Sequence, residues 1–304
     1  MDVKIESFWN RILNPNAKIV SDENSSWTKE IEFLYKNGIS MEEALRYLHY
    51  EKPSLSVFND WVNLHKNEIK KAEDIIDEVL SKEDLDFWDK NGYVVIKNAI
   101  SRSDCEATQN AIWTFLRANS EDPTSWYQKH EEKRGLMLNF SNHPTLNKNR
   151  ESAKIQKAYE QLYKTNKIYK TIDKVSFNPP ISENYSFLGS DLHWDVSLKL
   201  PIPFMLQGLI YLSDCNDNDG AFHCVSGFHN NISSWMSNLQ ANEDPREIAP
   251  KLLLSKAVTG QAGDFIIWHQ ALPHCATPNK GKLPRMVQYL TYFPEEETIT
   301  KEWI

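Results

Sequence analysis

Two histidines, one aspartate and one arginine in the second half of the chain are residue types that can do redox chemistry together. His193 and Asp195 stand two residues apart. His274 follows much later, and Arg285 comes after it. Two imidazoles and one carboxylate are the ligand set of a non-heme Fe(II) facial triad, which leaves three coordination positions open. An arginine can hold a carboxylate through a bidentate contact. The four residues predict an iron site with an anchor for 2-oxoglutarate, and therefore an oxygenase that uses O2.

The elements around these residues decide whether the residues can meet. On a strand or an extended turn, residues i and i+2 project to the same side, so His193 and Asp195 can reach a single metal. The third ligand must come from another strand, where His269 and His274 compete. We favour His274, because it stands nearer Arg285 and directly before a turn that would return the chain as the neighbouring strand. An alternative zinc site would use His223, Cys224 and His229, but their spacing matches no standard zinc pattern.

Composition limits the kinds of partner. The formal net charge of −8 argues against a broad nucleic-acid surface, which would be basic. No apolar run approaches the roughly 20 residues of a membrane span, and no secretory signal is visible. The four cysteines show no CxxC spacing, as is usual for thiols in a reducing compartment. We expect a cytoplasmic protein with a small-molecule substrate and with neither nucleic acid nor membrane as a partner.

Residues 1–80 are predicted to form a helical N-terminal extension. Trp27, Ile31 and Leu34 fall on one helical stripe, Gly38 can end that helix, and Ser40 fits the start of the next helix. A third helix follows, so the segment could imitate a helix-turn-helix, but its acidic character argues against DNA binding. Packing against the rest of the chain, a lid, or docking of a carrier protein are the roles left open.

Residues 81–304 are predicted to form one α+β domain. Helix starts at Ser81 and Ser101, and a helix over about residues 150–163, come first. A half follows in which short β-prone runs alternate with turns, over about residues 172–294. The runs are Lys174–Phe177, Gln207–Leu212, Ala221–Val225, Asp264–Trp268 and Val287–Thr291. Several short strands preceded by helices favour a jelly-roll, cupin-like barrel flanked by helices.

Three segments of this domain resemble the phytanoyl-CoA dioxygenase family of Fe(II)- and 2-oxoglutarate-dependent oxygenases. They are Leu80–Ile96, Asp219–His229 and Gly263–Arg285, within a resemblance over about residues 80–294. Ser226 and Phe228 depart from the family's usual proline and serine, but neither is a ligand. The resemblance implies a double-stranded β-helix with iron at its mouth.

The resemblance also implies roles for individual residues. His193, Asp195 and His274 would bind Fe(II), Arg285 would pair with the distal carboxylate of 2-oxoglutarate, and turnover with O2 would release succinate and CO2. Related halogenases have a small residue at the aspartate position, so Asp195 favours hydroxylation, desaturation or cyclisation.

Further residues are candidates for binding the small molecules. Gln207 and Asn178 are expected to hydrogen-bond the cosubstrate, although Gln207 could be an ordinary strand amide. Asn178, Arg134 and Arg150 precede the barrel and could meet the substrate, and either arginine could equally be a surface residue. Trp194, Trp268 and Phe222 could line an apolar pocket or simply pack in the core.

Hydroxylation of an unactivated C–H bond in a secondary metabolite or an amino-acid-like compound is the expected reaction. The alternatives are the same chemistry on an acyl-CoA or a carrier-bound acyl group, and a cupin-like binding protein without turnover.

Overall fold

The computed structural model describes residues 2–14, 26–65, 77–240 and 242–295. The chain divides into a helical unit and a sheet unit. The helical unit comprises Met1–Glu73 and Tyr169–Asp173, and the sheet unit comprises Asp74–Ile168 and Lys174–Ile304. The predicted division into residues 1–80 and residues 81–304 stays a prediction. No helix within the described ranges is long and apolar enough to cross a membrane.

Four helices make up the described part of the helical unit. They are α1 (Val3–Leu13), α2 (Trp27–Lys36), α3 (Met41–Glu51) and α4 (Leu55–His65). Ser40, the predicted start of α3, accepts a hydrogen bond from the backbone N–H of Glu43. The apolar faces of the helices form a separate core around Phe8 and Phe58. The three helices expected after Ser26 are present, α1 was not predicted, and residues 66–76 lie outside the described residues.

The described sheet unit contains six α-helices. They are α5 (Lys82–Asn91), α6 (Arg102–Leu116), α7 (Pro144–Arg150), α8 (Ala153–Tyr163), α9 (Ile232–Ser237) and α10 (Pro245–Leu252). Ser81 and Ser101 cap α5 and α6, as predicted. The helix expected over about residues 150–163 is α8, whose start is capped by the side chain of Ser152, and α7 before it was not predicted. Helices α9 and α10 were not predicted.

Short strands account for the rest of the regular structure. They are β1 (Tyr93–Ile96), β2 (Lys133–Arg134), β3 (Met137–Leu138), β4 (Ile168–Lys170), β5 (Val175–Asn178), β6 (Leu206–Tyr211), β7 (Phe222–Cys224), β8 (Lys256–Val258), β9 (Phe265–His269), β10 (His274–Ala276), β11 (Arg285–Tyr289) and β12 (Tyr292–Pro294). Seven strands form a sheet in the order β1-β9-β6-β11-β5-β3-β2, and three form another in the order β10-β7-β8. All pairings within these two sheets are antiparallel. The mixture of helices and antiparallel sheets predicted for this part of the chain is confirmed.

The two faces of the seven-stranded sheet bury different clusters, because successive side chains of a strand point to opposite faces. Ile210 and Phe265 belong to a cluster on the outer face, together with side chains of α6 and α8. Leu209 and Ile266 belong to a cluster on the inner face. That inner cluster also contains Phe222, which lies in the three-stranded sheet. The inner face of the large sheet therefore shares a core with the small sheet.

Candidate metal centre

Backbone pairing brings the two candidate histidines together from distant parts of the chain. His193 forms an isolated antiparallel bridge with His274, the first residue of β10. Each donates its backbone N–H to the carbonyl of the other, at 3.0 and 2.9 Å. The two rings lie 4.8 Å apart between centroids. Asp195 follows His193 by two residues, so the extended chain brings its side chain to the same point.

The ligand atoms of these three residues converge. One atom from each of His193, Asp195 and His274 lies within 4.8 Å of the other two. The Oδ1 atom of Asp195 is 3.6 Å from Nε2 of His193, and its Oδ2 atom is 3.1 Å from Nε2 of His274. Donor atoms on one octahedral face, each about 2.1 Å from a metal, lie about 3 Å apart. Within the described ranges, no other trio of His, Cys, Asp or Glu side chains comes this close.

Hydrogen bonds orient both imidazoles toward that point. Nδ1 of His193 lies 2.8 Å from the carbonyl oxygen of Asp191, and Nδ1 of His274 lies 3.1 Å from that of Leu272. A carbonyl oxygen can only accept, so each Nδ1 carries the proton and each Nε2 keeps a lone pair. The Nε2 lone pair of a neutral His274 would face an anionic oxygen of Asp195, which is unfavourable, so a second ring proton or a metal ion must lie between the two atoms. The donor set therefore fits a metal ion.

The charge states of the triad suit metal binding. Partial burial would raise the pKa of Asp195, but the hydrogen bond and charge of His274 and the amide of Gln207 together hold it below its usual range. Burial, aided by the neighbouring His274, lowers the pKa of His193. The carboxylate and the neutral imidazole are the forms that bind metals. The side chain of Asp195 is 53% exposed and that of His274 only 7%, so the site opens to solvent on the carboxylate side.

Arg285 begins β11 and lies opposite Asn178 of β5. Its residue is 1% exposed, and its Nη2 donates to Oγ of Ser176 at 3.2 Å. Its Nε is buried without a partner, and no carboxylate in the described part of the chain pairs with it. A buried guanidinium without an anion is costly. The surroundings of Arg285 therefore fit an anion supplied from outside the chain.

Asn178 and Gln207 lie on the same inner face but make different contacts. Nδ2 of Asn178 donates to the carbonyl of Thr277 at 3.1 Å, and its Oδ1 is buried without a partner. Nε2 of Gln207 donates to Oδ2 of Asp195 at 2.9 Å, and its Oε1 accepts from Nε1 of Trp268 at 3.0 Å. Gln207 thus contacts the triad carboxylate, and its predicted role toward the cosubstrate stays a prediction.

His269 lies apart from the triad. It ends β9 one residue after Trp268, so its side chain points to the opposite face of the sheet. Its ring lies 5.2 Å from that of His229 and 5.3 Å from that of Phe204. Its Nδ1 accepts a hydrogen bond from the backbone of Ala271 at 2.9 Å.

The alternative zinc residues do not form a cluster of three ligands in the described structure. Burial raises the pKa of the Cys224 thiol to about 12, which disfavours the thiolate that a metal needs.

Of the two arginines considered for substrate, Arg134 is exposed, whereas Arg150 is buried and donates to Oδ1 of Asn147 and the carbonyl of Ser141.

Two contacts of the site were missed in the sequence. Ser176 stands two residues before Asn178 on one strand face, a spacing that could have identified it. Arg246 donates to the carbonyls of Trp194 and Val196, on either side of Asp195. No local pattern signals that contact, because Arg246 lies in a helix that was not predicted.

Several known proteins are similar to this chain. A curated relative, a putative phytanoyl-CoA dioxygenase of Dictyostelium discoideum, is 24% identical over 261 residues, which cover 69% of this chain and 74% of the relative. One similar structure is SnoK, a non-heme alpha-ketoglutarate-dependent carbocyclase from nogalamycin biosynthesis. Its TM-score is 0.50 at 20% identity, with 74% of this chain and 86% of that chain covered.

A second similar structure is HygX from Streptomyces hygroscopicus with nickel and 2-oxoglutarate bound. Its TM-score is 0.52 at 16% identity, with 73% of this chain and 90% of that chain covered. At these identities the structures support the fold. The family model for phytanoyl-CoA dioxygenase (PhyH) matches residues 88–287, well over half of the chain. The chain therefore belongs to the phytanoyl-CoA dioxygenase family and is an enzyme of its 2-oxoglutarate-dependent, non-heme iron class.

Proposed function

We propose that His193, Asp195 and His274 bind Fe(II), and that Arg285 binds the distal carboxylate of 2-oxoglutarate. The enzyme then hydroxylates an unactivated C–H bond of a small molecule, with release of succinate and CO2. The observation that carries this proposal is the convergence of three ligand atoms within 4.8 Å, with both imidazoles oriented by backbone carbonyls. When bound, the iron and 2-oxoglutarate supply the oxidising chemistry with O2.

The chain's own residues bind and orient. The two histidines keep their Nε2 lone pairs toward the metal, and Asp195 contributes the negative charge. Arg285 can donate to a carboxylate through its unpartnered Nε and hold it away from water, since the residue is 1% exposed. Asn178 lies opposite Arg285 in the register, and we propose it as a further cosubstrate ligand through the second N–H of its Nδ2, whose first N–H donates to Thr277.

The type of barrel and the domain bounds belong to the same proposal. Two antiparallel sheets that share an inner core support a double-stranded β-helix over about residues 172–294. We assign residues 81–304 to the oxygenase domain and residues 1–80 to a helical extension. Docking of a carrier protein is the role that we propose for the extension.

A small secondary metabolite is the substrate class we propose. SnoK, a protein of similar structure, comes from nogalamycin biosynthesis, which supports a small-molecule substrate in a protein of this fold. SnoK is a carbocyclase, so ring formation is an alternative outcome to hydroxylation. The acidic chain, with a net charge of −8, disfavours a polyanionic acyl-CoA ester.

The test is a screen for substrate-stimulated succinate release with Fe(II), 2-oxoglutarate and O2. Asp195→Ala should abolish both stimulated and background succinate release, because it removes one metal ligand. Glu183→Ala removes an exposed carboxylate outside the triad and should leave the rate unchanged. Full activity of Asp195→Ala would overturn the metal assignment. Metal binding without succinate release under any condition would contradict the proposed reaction.

A further inference from the structure

The segment that carries Asp195 is not held by a strand ladder. His193 pairs with His274 through both backbone groups. The next three residues, Trp194 to Val196, make no backbone-to-backbone hydrogen bond within the described residues. Fixing the backbone of one residue costs about 1–2 kcal/mol in conformational entropy. Other contacts must therefore keep the carboxylate in place.

One side chain bridges this segment. Arg246 lies in the first turn of α10, where its backbone N–H donates to the side chain of Asp244 at 2.8 Å. Its Nη1 donates to the carbonyl of Trp194 at 2.8 Å, and its Nη2 donates to the carbonyl of Val196 at 2.7 Å. The rigid fork of a guanidinium fixes two acceptors at once. Here it holds the 194–195 peptide, which precedes Asp195, and the 196–197 peptide, one residue beyond it.

Two further hydrogen bonds complete the support. Nε1 of Trp194 donates to the carbonyl of Ala271 at 2.9 Å, and Gln207 donates to the carboxylate of Asp195 itself. Gln207 thus restrains the side chain, whereas Arg246 restrains the backbone. The hydrogen bonds of Arg246 go to the backbone of this segment, so they reach the metal site through Asp195.

We propose that Arg246 is a positioning residue that holds Asp195 ready for the metal, an inference that rests on the proposed metal-binding function of the triad. Hydrogen bonds from a charged donor are roughly twice as strong as neutral ones. Loss of a residue that orients a metal ligand typically lowers metal affinity by about 10- to 100-fold. The same loss is expected when the fork of Arg246 is removed.

The experiment measures Co(II) binding to the full chain without 2-oxoglutarate, by its visible absorption. Arg246→Met should weaken Co(II) binding by about 10- to 100-fold and change the spectrum at saturation. Arg246→Lys should lose less Co(II) affinity than Arg246→Met, because an ammonium group keeps the charge but lacks the two-pronged guanidinium geometry. Arg102→Met is the matched control, since that arginine makes an exposed ion pair with Asp214 and should leave Co(II) binding unchanged.

Each outcome decides between the ideas. The role of Arg246 would be overturned if folded Arg246→Met had the same Co(II) spectrum as the unmodified chain and a Kd for Co(II) within about twofold of it. If the methionine variant does not fold, the lysine variant decides: weakened binding supports the role and unchanged binding overturns it. If Asp195→Ala binds Co(II) as tightly as the unmodified chain, the triad assignment itself fails. Loss of binding in Asp195→Ala alone would leave the triad intact and reject only Arg246.

Discussion

Replacement of Arg285 by methionine should have opposite effects on the protein with and without 2-oxoglutarate. In the ligand-free chain, Arg285 is 1% exposed, has one hydrogen bond to Ser176 and pairs with no carboxylate among the described residues. A buried group without its partner costs about 1–3 kcal/mol. Methionine has a similar reach and no charge. The free energy of unfolding of the ligand-free variant should therefore stay unchanged or rise by up to about 3 kcal/mol.

The complex with 2-oxoglutarate should be destabilised instead. Removal of one partner of a buried ion pair costs about 3–5 kcal/mol, because the other charge is left unpaired. At about 1.4 kcal/mol for each factor of ten, the Kd for 2-oxoglutarate should rise by roughly 10² to 5 × 10³. Arg285→Lys keeps the charge but not the bidentate geometry, so its Kd should fall between those of the methionine variant and the unmodified chain.

The measurements are calorimetric titration of 2-oxoglutarate into the Co(II)-loaded protein without O2, and urea unfolding of the ligand-free protein. Arg102→Met, which removes an exposed arginine, should match the unmodified chain in both. A Kd within about tenfold of the unmodified value for folded Arg285→Met, with Co(II) binding intact, would place the anchor elsewhere. A large loss of ligand-free stability would refute the idea that the charge is unpaired.

Two further predictions concern stability. Burial and the charge of His229 lower the pKa of His269 from 6.5 to about 4, so the unfolded chain takes up a proton in this pH range that the folded chain does not. The free energy of unfolding should fall by up to about 1.4 kcal/mol per pH unit as the pH drops through that range. In urea titrations, His269→Gln should remove this part of the pH dependence. An equally steep pH dependence in the His269→Gln variant would contradict the assignment. Gly220 has a φ of 74°, and a Cβ there would collide with the amide of Asn178. Gly220→Ala should therefore lower the free energy of unfolding by about 1–3 kcal/mol and weaken 2-oxoglutarate binding. In Gly189→Ala the new methyl group meets only the movable ring of Phe187, so its stability should change little. Equal stabilities of the two variants would count against strain at Gly220.

Much of the local structure could be read from the sequence. Ser81 and Ser101 were predicted as helix starts and are N-caps, because capping depends on a few adjacent residues. The β-prone runs became strands, and the apolar residues of the central strands β6 and β9 alternate between two buried faces. The predictions failed where local signals were weak: α7, α9 and α10 were missed.

The sequence by itself determined which chemistry was available, because the types of His193, Asp195, His274 and Arg285 and their order along the chain suit an iron and 2-oxoglutarate site. Tertiary structure decided which side chains meet. Strand register turns His269 away from the triad, because neighbouring residues of a strand face opposite sides. Backbone pairing sets His193 against His274, and the packing of α10 brings a distant arginine to the backbone around Asp195. Such contacts join residues far apart in the chain, and no local pattern encodes them.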